Sequence, residues 1–205
     1  MGFYGNRVLP HIIDKACGMK VTHPLRERVC APLRGEVLEI GFGSGNNVAF
    51  YPGAIAKLTA IEPSDTAWRL ASKRVAASPV LIERGDLDAQ RLPFPDDTFD
   101  AALSTWTLCT IPDPIAALDE IRRVLKPGAT LHFVEHGLAP DPKVQRWQHR
   151  FNGLQQRLFG GCNLDRPIVA LLEQGGFKVG AVDEFYEKGA PKFVAADSLG
   201  TAVAL

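Results

Sequence analysis

Val37-Leu38-Glu39-Ile40-Gly41-Phe42-Gly43-Ser44-Gly45-Asn46 is the stretch that decides the fold. An apolar run enters a glycine-rich turn, and the pattern predicts a strand, a tight turn and then a helix over 45–51. Glycines at 41, 43 and 45 let the backbone turn sharply and let a ligand lie against bare peptide. Free N–H groups at the start of the following helix can bond that ligand. A tight turn holding nothing would look the same, so the neighbouring segments have to decide. The spacing is GxGxG, because position 46 is Asn, and not the GxGxxG of dinucleotide folds. A third glycine moved forward suits a ligand without a pyrophosphate. The second apolar run, 57–62, ends in Glu62, where an acid can accept hydrogen bonds from two ribose hydroxyls.

Outward from that loop, short β-branched or apolar runs alternate with helical patterns, the mark of a parallel sheet covered by helices. Strands are expected at 36–40, 57–62, 79–84, 99–104 and 129–135, with helices at 65–77 and 114–125. Ile115, Leu118, Ile121, Val124 and Leu125 give the last helix its apolar face, and Lys126-Pro127-Gly128 stops it. Strands at 179–187 and 191–197, joined by Lys188-Gly189-Ala190, read as a hairpin that makes the final strand antiparallel. Two amphipathic segments lie outside the alternation. Val8, Leu9, Ile12, Ile13 and Ala16 share one side of a helix within 1–30. Val144, Trp147, Phe151, Leu154 and Leu158 recur at spacings of 3 and 4 within 143–159. Both are placed as covers over the carboxyl ends of the strands.

The chain has 205 residues, which suits one α/β domain, and 46% hydrophobic with 22% charged residues is ordinary for a globular protein. Lys+Arg 23 balances Asp+Glu 23, which argues against a phosphate-holding nucleic-acid binder. No apolar run approaches the roughly 18 residues that span a bilayer. Cys17, Cys30, Cys109 and Cys162 are scattered without a CxxC pair, so a reduced cytoplasmic protein with no metal site is expected.

Four stretches together resemble the successive motifs of class I S-adenosylmethionine-dependent methyltransferases. They are Glu39-Ile-Gly-Phe-Gly-Ser-Gly45, Ile61-Glu62-Pro63-Ser64, Leu92-Pro93-Phe94-Pro95-Asp96-Asp97-Thr98-Phe99-Asp100 and Arg122-Arg123-Val124-Leu125-Lys126-Pro127-Gly128. The resemblance covers about residues 35–137. It implies a doubly wound, Rossmann-like sheet of seven strands ordered 3-2-1-4-5-7-6, with strand seven antiparallel. It implies S-adenosyl-L-methionine as cofactor and S-adenosyl-L-homocysteine as product. Gly41, Gly43 and Gly45 would face the amino-acid moiety, Glu62 the ribose, and Asp88-Ala89-Gln90 the adenine. Glu39, Ser44, Pro63 and Thr105 complete the implied cofactor set. The domain plan is then one methyltransferase domain, with 1–30 a helical cover, 35–137 the core, 140–175 a helical lid and 179–197 the hairpin.

Further stretches are similar to the alkyl-thiol methyltransferases of animals and their soluble bacterial relatives. These are Leu108-Cys109-Thr110, Val134-Glu135-His136-Gly137, Trp147-Gln148 and Gly161-Cys162-Asn163-Leu164-Asp165-Arg166. The animal group carries an N-terminal membrane anchor, which is not expected here, and has Asp where this chain has Glu62. A thiol or sulfide acceptor follows from that similarity. Thiols are strong nucleophiles, so such an enzyme needs only to ionise and aim the acceptor. His136, at the carboxyl edge of the sheet, is the candidate base, with a pKa ordinarily near 6.5; a histidine that merely caps the strand end is the plainer reading. Cys109 reads more readily as a small buried residue than as part of the acceptor pocket. Asn163 and Arg166 are expected to hold the loop before the last helix, with Asp165 as that helix's N-cap. Lys143, Arg146, Arg150 and Arg157, with no acid between 143 and 164, make that segment a lid or, less favoured, a membrane contact. The partner expected is a small molecule, the chain being a monomer or homodimer. A quinone ring carbon or phospholipid amine is the competing acceptor, and a cofactor-binding regulator without turnover is the reading from another class.

Overall fold

The computed structural model describes residues 3–86 and 88–205, so the first two residues of the N-terminal cover lie outside it. Seven strands form one sheet: β1 (Gly35–Ile40), β2 (Ile55–Ile61), β3 (Leu81–Asp86), β4 (Phe99–Thr105), β5 (Leu125–His136), β6 (Phe177–Tyr186) and β7 (Ala196–Ala204). Their order is β3-β2-β1-β4-β5-β7-β6. All neighbours pair in parallel except β7, which is antiparallel to both β5 and β6. That is the order the motif resemblance implied.

Both faces of the sheet are buried, and the strand period of two sorts the side chains between them. Leu38 and Phe133 belong to one apolar core with Leu118, Ile121, Ile168 and Leu172. The adjacent Val37 and Val134 belong to the other, with Val29, Leu33, Leu58 and Ala71. Helices α2 (His23–Cys30) and α3 (Asp65–Ala76) thus cover one face, and α4 (Pro114–Val124) and α6 (Ile168–Gln174) the other. Ser64 caps α3 by accepting the Ala67 N–H at 3.2 Å, and Asp113 caps α4 through Ala116 N–H at 3.0 Å. The remaining helices are α1 (Leu9–Cys17), entered through a wide turn at Tyr4–Val8, and α5 (Pro142–Leu158).

Four expectations are corrected. The segment 45–51 is a turn followed by a single 3-10 turn at Val48–Phe50, for a reason given below. The hairpin is longer than read. β7 begins at Ala196, and Glu187–Ala195 forms the connection, because a 3-10 turn at Lys192–Val194 occupies the stretch taken for a strand. Asp165 does not cap α6, whose N-cap is Pro167. Its carboxylate instead accepts from Asn152 Nδ2 at 2.6 Å and lies 2.8 Å from His149 Nδ1. Finally, the stripe on α5 is mostly outside the core: Val144 is buried, but Trp147, Leu154 and Leu158 are 54%, 55% and 45% exposed.

Candidate active site

The site is built where β1, β2, β4 and β5 present their carboxyl ends, the position at which open α/β sheets hold ligands. Leaving β1, the chain takes φ of +68° at Gly41 and +59° at Gly43. The two glycines serve different ends. A Cβ at Gly41 would stand 2.1 Å from Thr107 Oγ1, so this glycine lets the loop pack against the chain leaving β4. A Cβ at Gly43 would meet nothing nearer than the Gly41 carbonyl oxygen at 3.9 Å. That open ground over bare peptide leaves room for a ligand. Glu62 closes its side. Its Oε2 accepts the Gly43 N–H at 2.6 Å and its Oε1 the Ser64 N–H at 2.7 Å. Each oxygen keeps a lone pair for a hydroxyl. Burial raises the pKa of Glu62, and the two amides with the charge of Arg84 pull against that rise.

Asn47 explains why no regular helix follows the loop. Its side chain turns inward and donates to Glu39 Oε1 at 2.8 Å and Thr105 Oγ1 at 3.0 Å, while its Oδ1 accepts from Arg26 Nη1. Tyr51 donates to the other oxygen of Glu39. Burial pushes the Glu39 carboxyl up to about 7, against the pull of the Tyr51 and Asn47 hydrogen bonds. Glu39 and Thr105 therefore brace the loop from beneath. Helix α1 closes over its top: Ser44 Oγ donates to Asp14 Oδ1 at 2.6 Å, and Arg74 Nη1 reaches Asp14 Oδ1 at 3.0 Å and the Ser44 carbonyl at 2.7 Å. Asp88 accepts from the Gln90 amide N–H and side chain at 2.9 and 3.0 Å, and Gln90 Oε1 accepts the Asp113 N–H at 2.9 Å. Those bonds fix the 88–90 turn against the start of α4, with Ala89 buried and Pro63 exposed.

Beside the loop, β4 ends in a strained turn, with Trp106 at φ +51°. Buried Glu135 holds it: Oε1 accepts from Ser104 Oγ at 2.6 Å and Oε2 from the Thr107 N–H at 2.9 Å. Burial raises Glu135 to about 7 in spite of those donors. Arg26 lies with its guanidinium 4.7 Å from the Trp106 ring centre, and the indole N–H points to Asp197 at 3.3 Å. Just past the turn sits Cys109. Its Sγ is 3.7 Å from Cys162 Sγ, which is in turn 3.7 Å from His136 Nδ1. Asn163 ties the two loops together, its N–H and its Nδ2 each donating to the Cys109 carbonyl at 2.9 Å. Arg166 Nη1 adds bonds to the carbonyls of Leu108 and Ile111. The Cys109 contact lowers the pKa of Cys162, burial opposes this, and the His136 hydrogen bond and charge lower it further. Burial by itself lowers His136, but the Cys162 bond and the charges of Cys162, Asp197 and Glu135 carry it above its ordinary value. Cys162 and His136 thus lean toward a thiolate–imidazolium pair, with Cys109 kept as the thiol.

Residues 38–133 match the methyltransferase domain family. Over those residues the chain carries a methyltransferase domain. Its fold is shared with an S-adenosylmethionine-dependent methyltransferase from Aquifex aeolicus, at TM-score 0.67 and 21% identity over 96% of this chain and 98% of that one. Thiol S-methyltransferase TMT1B of Homo sapiens is 31% identical over 148 residues, 69% of this chain and 59% of that protein. Demethylmenaquinone methyltransferase of Clavibacter sepedonicus is 34% identical over 120 residues, 58% of this chain and 49% of that one. The match thus spans about half to three-fifths of each relative's length.

S-adenosylmethionine is the cofactor that this family implies, and the open cradle at Gly43 beside the spare lone pairs of Glu62 fits an adenosine-bearing ligand. For a methyltransferase of this class, the structure brings Glu39, Gly41, Gly43, Ser44, Gly45, Glu62 and Thr105 to one loop, with Pro63 at its margin and Asp88-Ala89-Gln90 on the turn after β3. His136 lies apart from that set, at the end of β5. Sequence reasoning missed Asn47, Asp14, Arg74 and Arg26, all of which act across sequence gaps that no motif records. It also took Cys109 and Cys162 as unrelated, whereas the two meet at His136. No helix among the described residues is long and apolar enough to cross a membrane.

Proposed function

We propose that this chain transfers a methyl group from S-adenosylmethionine to the sulfur of a small-molecule thiol. When bound, the cofactor supplies an electrophilic methyl group on a sulfonium centre. The chain's own part is to hold, aim and dry the site. Gly43 offers the bare peptide on which the ligand rests, and Glu62 accepts from its hydroxyls. Asn47, Glu39 and Thr105 keep that surface in one shape, so little ordering remains to be done on binding. Asp14 and Arg74 fasten α1 over the loop, which excludes water from a reaction in which a sulfonium and a thiolate cancel each other's charge.

The observation that carries the sulfur reading is the Cys109–His136–Cys162 cluster, whose Cys109 stands two residues past Thr107, the residue packed against Gly41 of the cofactor loop. The similarity to the human thiol S-methyltransferase supports the same reading. His136 is the residue assigned to making the acceptor a thiolate, at the pH of the cytoplasm, the compartment that four free cysteines suit. The test is a panel assay with methyl-labelled cofactor against hydrogen sulfide, alkyl and aryl thiols, quinols and phosphatidylethanolamine.

A second reading rests on a different feature. Val8, just before α1, and Ile12 and Ile13 on it are exposed, as are Trp147, Leu154 and Leu158 on α5, and a Tyr4 hydroxyl bond to the Leu158 carbonyl at 2.8 Å joins the N-terminal segment to the end of α5. With Lys143, Arg146 and Arg150 alongside, this surface has the composition of one that lies on an anionic membrane. It would favour a quinol or a phospholipid amine, and the same panel separates it from the thiol reading.

A further inference from the structure

Cys109, His136 and Cys162 come from three separate places: the turn after β4, the last residue of β5, and the loop between α5 and α6. Their ligating atoms all lie within 4.8 Å of one another. The arrangement is tied down from outside. Asn163 locks the backbone of the third segment to the Cys109 carbonyl, and Glu135 holds the turn on which Cys109 sits.

A tetrahedral zinc with Zn–S near 2.3 Å and Zn–N near 2.0–2.1 Å sets ligand atoms about 3.8 Å apart for sulfur pairs and about 3.6 Å for sulfur and nitrogen. The Sγ–Sγ and Sγ–Nδ1 distances here are both 3.7 Å. Two edges of a metal-sized tetrahedral face therefore already stand at the right length, both meeting at Cys162 Sγ, and the third, from Cys109 Sγ to His136 Nδ1, lies within 4.8 Å. Two thiolates and a neutral imidazole balance the charge of a divalent ion and suit borderline-soft metals. Among the described residues no fourth cysteine, histidine or acid joins the group. Three protein ligands and an open fourth position is the pattern of catalytic rather than structural zinc sites. On the far side of the ring, His136 Nε2 is buried without a hydrogen-bond partner. Asp197 stands opposite His136 in the β5–β7 register, but its carboxylate accepts from the Trp106 indole and not from Nε2.

We propose that Cys109, His136 and Cys162 bind a divalent cation of the zinc class through their two sulfurs and Nδ1, leaving the fourth position for the acceptor thiol. The fourth-ligand part rests on the thiol reading above; the cation site does not. On binding, the acceptor's S–H bond breaks, its proton passes to solvent water, and the sulfur electron pair forms the bond to the metal. His136 then acts on the acceptor through the cation and not as a free base.

The test is a cobalt(II) titration of the reduced, metal-stripped full chain. The expected result is a single ion per chain, with a thiolate-to-cobalt charge-transfer band and a tetrahedral visible spectrum, both lost in Cys162→Ser. Zinc should also protect the wild-type thiols from alkylation, a measurement that needs no variant. Addition of methanethiol should shift the cobalt spectrum. Absence of the charge-transfer band, or its persistence in Cys162→Ser, overturns the site. A band indifferent to methanethiol overturns the open position while leaving the cation. Failure of the thiol reading shows elsewhere, as methylation of quinol or lipid and of no thiol in the panel assay, and leaves the cobalt result standing.

Discussion

Glu62 Oε2 accepts the Gly43 N–H at 2.6 Å, so the acid at the end of β2 and the peptide of the glycine loop hold one another in place. Removing that carboxylate loses both the brace and the acceptor for the ligand's hydroxyls. Each charge-assisted hydrogen bond contributes about 1.5–3 kcal/mol. Glu62→Ala should therefore weaken S-adenosylhomocysteine binding roughly tenfold to a hundredfold, with 1.4 kcal/mol per decade. Calorimetric titration reads this directly, and an unchanged affinity would take Glu62 out of the ligand site.

The glycines give a paired prediction. Gly43→Ala places a methyl group in open ground at φ +59°, costing about 1–2 kcal/mol of backbone strain. It should leave the melting temperature within a few degrees of wild type while abolishing S-adenosylhomocysteine binding. Gly41→Ala drives its Cβ into Thr107 and should lower both stability and binding. Intact binding in Gly43→Ala would mean that the ligand does not lie over that peptide.

Buried Glu39 fixes a pH dependence of stability. Its carboxyl titrates at about 7 in the folded chain and near 4.5 when unfolded. Between those values the folded chain keeps a proton that the unfolded chain has lost. Its contribution is fully present below about 4.5 and disappears as pH rises through about 7, so stability falls with rising pH across that window, by up to about 1.4 kcal/mol per pH unit. Urea unfolding of the ligand-free chain from pH 5 to 8 should show this slope, and Glu39→Gln should make it shallower, leaving the share of Glu135 and Asp197, which burial also raises to about 7. An unchanged slope would mean that Glu39 is already ionised when folded.

His136 separates two ways of ionising a thiol. If it holds a cation, His136→Ala should lose turnover by tenfold or more, and raising the pH above the acceptor's own pKa should not restore it. Recovery at high pH would make the residue a base and would contradict its role as a metal ligand.

How much of this was legible in the sequence follows from distance along the chain. The glycine loop and Glu62 are local signals at the ends of consecutive strands, and the sheet order is what the motif resemblance built on them implies. The 45–51 segment was misread because Asn47 spends its side chain on Glu39 and Thr105 rather than continuing a helix. The 3-and-4 spacing on α5 looked like a core face. Yet only Val144 of that stripe is buried, and Trp147 stacks on Phe151, which stacks in turn on Phe193. A helical period marks an amphipathic face and does not say what covers it. The cysteine cluster had no local spacing to betray it, since Cys109 and Cys162 are brought together by the Asn163 bond between distant loops.

Methyl transfer to a thiol is the central claim, and the labelled panel assay tests it most directly. Purified chain with methyl-labelled S-adenosylmethionine should form a labelled thioether from small alkyl or aryl thiols, with no labelled quinol or phospholipid. Labelled quinol or lipid in the absence of any labelled thioether would contradict it.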